Sequence, residues 1–116
     1  VEERIRLIGI DTPETKRPDT PIECFGPEAT AAIEELVPVG TAIRVERDVV
    51  ARDDFGRLLG YVYRADDDTF VNLRLVRDGF ATPLSIEPNV THRETIVEAA
   101  QAAAADDLGL WAACPG

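Results

Sequence analysis

Proline and glycine leave this chain no room for a long uninterrupted element before its last third. Eight of each occur among 116 residues, and Pro13, Pro18, Pro21, Pro27, Pro38, Gly40 and Gly56 cut the first half into short pieces. Residues 4–10, Arg-Ile-Arg-Leu-Ile-Gly-Ile, are β-branched and apolar with alternation at the start, which predicts a strand. Pro13 stops it by removing a donor and by keeping Thr12 out of the helical region. Pro18 and Pro21 among polar groups in 15–25 predict a long loop, and such loops often carry function. Gly26-Pro27-Glu28 predicts a helix start, with proline at its first position and glutamate at the positive end of the dipole. Ala29, Ala32, Ile33 and Leu36 make its apolar stripe, and Pro38 to Gly40 ends it.

Further along, Thr41–Arg47 alternates as a strand should, through Ala42, Ile43 and Val45. Leu58–Tyr63 is a second, and Asp53-Asp54-Phe55-Gly56 between them predicts a hairpin-like connection. The Asp66–Asp68 run reads as a solvated turn, because a calcium loop needs many more spaced oxygens. Asn72 to Arg77 predicts a short helix closed by Gly79. Thr91-His92-Arg93-Glu94 matches a capping box, opening a last, alanine-rich helix through about Asp106. Short strands first, with helices interleaved and last, predict an α+β fold around a small β barrel. The length fits one domain, residues 1–116.

Hydrophobic residues at 45% and charged residues at 29% exclude a disordered chain. No apolar run approaches the roughly 20 residues of a membrane span, and no cationic-then-apolar segment marks a signal peptide. The net charge of −10 disfavours loose attraction to a polyanion. Nine of the twelve basic residues nevertheless precede residue 65, which allows either random scatter or a basic locus on an acidic body.

Cys24 and Cys114 form no metal-binding pattern. They could be two unrelated buried thiols. A disulfide is the expectation, since a cysteine in a terminal Ala-Ala-Cys-Pro-Gly tail has little core to join, and it implies a secreted or extracytoplasmic protein.

Three places could carry chemistry. Asp11 and the Thr12 carbonyl are hard oxygens suited to Ca²⁺ or Mg²⁺. Glu14 could deprotonate a water beside such an ion, and Arg6 could fork onto a phosphate. The bland alternative is that Asp11 and Thr12 cap a turn and Arg6 pairs with a carboxylate. Arg57, at the start of a strand, could aim inward as a second clamp or stand exposed on a hairpin. His92, the single histidine, sits at a helix start where protonation is disfavoured, and reads as structural.

Arg6-Leu-Ile-Gly-Ile-Asp11-Thr12-Pro13-Glu14-Thr15 resembles the signature of the staphylococcal-nuclease-like (thermonuclease) family. Phe25-Gly-Pro-Glu-Ala29 and Asp53-Asp-Phe-Gly-Arg57-Leu-Leu-Gly-Tyr-Val-Tyr63 resemble its first-helix start and second active-site segment. The runs Val71–Ala81 and Pro88–His92, then Leu110-Trp111, follow in the same order. The resemblance implies an OB-type Greek-key barrel with three helices and calcium-dependent hydrolysis of phosphodiesters in DNA and RNA. It implies Arg6 and Arg57 as phosphate clamps, Glu14 as the carboxylate acting on the attacking water, and Asp11 and the Thr12 carbonyl as Ca²⁺ ligands. The alternative is a catalytically silent OB-type module that binds nucleic acid or protein.

The family precedes its first motif with two strands and a further calcium-binding aspartate, whereas only Val1–Ile5 precede Arg6 here. An N-terminally truncated barrel is therefore expected, holding Ca²⁺ weakly and exposing sheet edges that invite homodimers or strand exchange. Leu84 and Ile86 occupy positions where a relative places tyrosines against the nucleotide.

Overall fold

The computed structural model describes residues 3–13 and 23–114. Its elements run β1 (Ile5–Leu7), β2 (Gly9–Asp11), α1 (Gly26–Leu36), β3 (Ile43–Glu46), β4 (Leu58–Arg64), α2 (Val71–Arg77), β5 (Thr82–Leu84), α3 (Arg93–Ala105) and α4 (Leu110–Ala113). The fold is α+β, as the sequence predicts, with a fourth, one-turn helix after the three expected ones.

β4 is the centre of a three-stranded sheet. β1 lies parallel to it, with Arg6 opposite Leu59, and β3 lies antiparallel on its other side, with Val45 opposite Val62. β2 instead pairs antiparallel with β5, Ile10 opposite Pro83. The single strand expected over residues 4–10 is therefore two strands in two sheets. The corner lies at Ile8-Gly9, where Gly9 takes φ +84°, a left-handed conformation that side chains resist. A Cβ there would also meet the Ile96 side chain of α3 at 2.8 Å. Bending one run between two sheets is how a short β wall curves round its core without a long strand.

The three main helices cover that core. α1 buries Ala29 and Ala32, with Ile33 and Leu36 packed at the margin, as its stripe predicts. Val71, Leu75 and Val76 of α2 meet Ile96 and Ala100 of α3, and Ile10 and Val62 of the sheets, in one cluster. No helix among the described residues is long and apolar enough to cross a membrane.

α3 departs from the predicted capping box. Its N-cap is His92, and no side chain caps it. Asp48, from the connection after β3, instead accepts a hydrogen bond from the Thr91 amide at 3.1 Å and another from the Tyr61 hydroxyl at 2.8 Å. A tertiary contact outcompetes the local one. The Asp66–Asp68 run is a turn, with Arg64 bridged to Asp66 at 2.7 Å.

Candidate active site

Arg6 stands in β1 and Arg57 immediately precedes β4. Because Arg6 is opposite Leu59 in a parallel pair, Arg57, two residues before Leu59, alternates onto the same face. Both arginines line one cleft of about 360 Å³.

Each is held differently. Arg6 is half-buried, and one terminal nitrogen donates to the Leu7 and Ile10 carbonyls at 3.0 and 2.9 Å. Burial pulls its pKa down, Asp11 opposes that, and the neighbouring Arg57 adds to it. The two guanidinium groups thus feel one another, as groups converging on one anion would.

Arg57 is set by a tight turn. Asp53 accepts hydrogen bonds from the Phe55 and Arg57 amides, both at 2.9 Å, and from Arg57 Nε at 2.6 Å. Gly56, at φ +80°, closes the turn by donating to the Asp53 carbonyl at 3.1 Å. Burial alone would raise the Asp53 carboxyl, but the bonds from Arg57 and Phe55 outweigh it and lower its pKa. Among the described residues the terminal nitrogens of Arg57 carry no hydrogen bond, which leaves an end-on fork facing the cleft.

The remaining walls are mixed. Val50, Phe55, Leu84 and Ile86 contribute exposed apolar surface, with the Phe55 ring 5.7 Å from the Arg57 guanidinium. The expected hairpin at Asp53–Gly56 is present, and its tip places Phe55 at the rim.

Asp11 ends β2, is exposed, and lies close enough to Arg6 to oppose the lowering of its pKa by burial. Thr12 follows it and lines a second, largely aliphatic cavity that also touches Arg6. The carboxylate of Asp11 and the carbonyl of Thr12 fit a hard cation in kind but not in number. Among the described residues no group of three or more His, Cys, Asp or Glu side chains could hold a metal ion. Glu14 lies outside the described residues.

His92 is structural in its contacts. Its Nε2 lies 2.8 Å from Glu46 Oε1, and the ring meets Tyr61 and Phe70 edge-on, away from the cleft. Cys24 and Cys114 form a disulfide with Cα atoms 5.8 Å apart, as the terminal cysteine suggests.

Sequence reasoning missed three supporting residues. Arg52 also lines the cleft. Asn72, fully buried, accepts from the Val62 amide and donates to the Ile8 carbonyl, both at 2.9 Å, tying the strand corner to β4. Asn89 accepts from the Val50 amide at 2.8 Å and donates to its carbonyl at 3.0 Å, fixing one wall. A lone asparagine between the apolar Val71, Leu75 and Val76 was the available signal for Asn72.

Comparison with known proteins gives the same lineage as the motifs. A family model described as staphylococcal nuclease homologue matches residues 4–113. The thermonuclease of Staphylococcus intermedius is 34% identical over 110 residues, covering 95% of this chain and 64% of that protein. Endonuclease YncB of Bacillus subtilis (strain 168) is 34% identical over 112 residues, covering 95% of this chain and 52% of its own length. The thermonuclease of Staphylococcus hyicus is 31% identical over 110 residues, 63% of its length. The chain thus spans less than two thirds of these relatives. With its motifs in order and its full described core matched, it belongs to the staphylococcal nuclease homologue family.

Proposed function

We propose that this chain is a nuclease domain that hydrolyses phosphodiester bonds of DNA or RNA. The observation that carries the reading is the convergence of Arg6 and Arg57 on one cleft from paired strands. Relatives named thermonuclease and endonuclease support it, and the second name favours cleavage within a strand.

In this reading the arginines act on the phosphate oxygens. Arg57 forks onto two of them with its terminal nitrogens, while Asp53 on Nε stops it from turning side-on. Arg6, locked by the two carbonyls and partly desolvated, acts as a fixed charge that need not reorganise as negative charge grows. Glu14 takes a proton from the attacking water as the new P–O bond forms and the ester P–O bond breaks, the leaving alkoxide oxygen taking up a proton from solvent water. Asp11 and the Thr12 carbonyl would hold Ca²⁺, with water completing its shell. The bound ion would supply Lewis-acid polarisation of a phosphoryl oxygen. The disulfide supports an oxidising, extracytoplasmic setting.

The test is hydrolysis of single-stranded DNA with Ca²⁺ and with EDTA. Glu14→Gln and Arg57→Ala should each slow it by about a hundredfold or more, with circular dichroism showing both folded. Activity within a few fold of the parent in both variants would sink the assignment. Rates unchanged by EDTA would remove calcium from it.

A further inference from the structure

A third arginine lies in the cleft, and it is already holding an oxyanion. Arg52 donates from both terminal nitrogens to the carboxylate of Glu3, at 3.0 and 2.7 Å, in a two-point fork. The same Nη1 donates to the Gly56 carbonyl at 2.9 Å, so the guanidinium is oriented by the turn that presents Arg57. Arg52 pairs with Leu58 in an isolated β-bridge, which fixes its backbone beside the start of β4.

Planar carboxylate and phosphate oxygens accept the same fork. We propose that Arg52 is a phosphate-binding residue for a backbone phosphate next to the one gripped by Arg6 and Arg57, and that Glu3 occupies it as a removable stand-in. The proposal rests on the nuclease reading and extends its binding site along the strand.

Two considerations support the exchange. The Arg52–Glu3 pair is about half exposed on both sides, 49% and 42%. Exposed pairs are worth little, so a phosphate loses little by displacing the carboxylate. The charge balance of the cleft also depends on this residue. Its walls carry Arg6, Arg52 and Arg57 against Asp53, Asp54 and Glu87. Without Arg52 the acids would outnumber the arginines, on a chain whose net charge is already −10. A cleft meant for a polyanion needs the third cation free to act.

The probe is a fluorescein-labelled single-stranded thymidylate octamer, titrated by anisotropy with the 116-residue chain in EDTA to prevent calcium-dependent cleavage. Arg52→Ala should weaken binding about tenfold and lower the slope of log K against log salt by about 0.7. Glu3→Gln should strengthen binding several-fold by releasing the fork. The opposite signs matter, because both variants break the same bridge. If the bridge merely braced the turn, both would weaken binding, and that result would overturn the proposal. Parent-like affinity and salt slope in Arg52→Ala would overturn it too, while leaving the nuclease reading intact. Failure of the parent itself to bind in EDTA, at any salt, would overturn the Arg52 proposal, while the nuclease reading stands or falls on the hydrolysis test with Ca²⁺.

Discussion

Asn72 shows how much of this site rests on a side chain that never touches the cleft. Its amide bonds the Val62 N–H, the Ile8 carbonyl and, at 3.3 Å, the Gly60 carbonyl, all in the dry interior. Ile8 is the corner from which β1 carries Arg6 one way and β2 carries Asp11 the other. Asn72→Ala should cost about 3 kcal/mol, because it strands buried backbone groups that water cannot reach. Urea unfolding checks it, and a loss under about 0.5 kcal/mol would mean that the corner finds other partners. At this scale the sequence is legible where a residue falls in a motif. Arg6, Arg57 and Asp11 could be singled out because they fall in motifs that resemble the family's, whereas by residue type alone a turn cap, an ion pair or an exposed hairpin arginine stood beside that reading. Asn72 and Arg52 could not, since their meaning comes from Ile8 and Glu3, partners 64 and 49 positions away.

Elements were legible where their signals are local. The proline start of α1, its stop just before Pro38, and the strand runs that become β3 and β4 survive folding. The run 4–10 and the capping box at Thr91 fail for one reason, which is that a distant partner offers more. For α3 that partner is Asp48, and a pH dependence follows. Burial would raise the Asp48 carboxyl, but hydrogen bonds from Tyr61, Thr91 and Val49 outweigh it and hold the pKa below the ordinary 3.8. A carboxyl lowered on folding stabilises the fold fully above its unfolded value and loses that contribution as pH falls through the folded one. Asp48→Asn should therefore be less stable than the parent at pH 6, by about 1 kcal/mol, with the gap closing below about pH 4. Denaturation midpoints at pH 6, 4 and 3 decide it. A gap that stays constant down to pH 3 would show that charge at Asp48 contributes nothing.

Over the whole molecule, the two chain-distant ends of the disulfide dock on neighbouring residues, Phe80 and Gly79. Phe25, next to Cys24, stacks on Phe80 with ring centroids 5.5 Å apart. Leu110, at the start of the helix leading to Cys114, donates its amide to the Gly79 carbonyl at 2.8 Å. Gly79, at φ +84°, has no room for a side chain, because a Cβ would overlap the Leu108 carbonyl. The cysteines are thus brought together by packing, and the bridge across 90 positions acts chiefly by restricting the unfolded chain. That predicts a separation of stability from function. Replacing both cysteines by serine should lower stability by about 4–5 kcal/mol on the chain-entropy model. Hydrolysis at 25 °C should stay near the parent rate as long as the fold holds, since neither cysteine lines the cleft. Gly79→Ala should do the reverse in kind: it leaves the unfolded chain bridged and injures the native docking, so its cost should persist in the reduced protein. Urea midpoints of parent, double-serine and Gly79→Ala proteins, with and without reductant, separate the two effects. Equal stability of reduced and oxidised parent would refute the unfolded-state account, because packing alone would then be holding the ends.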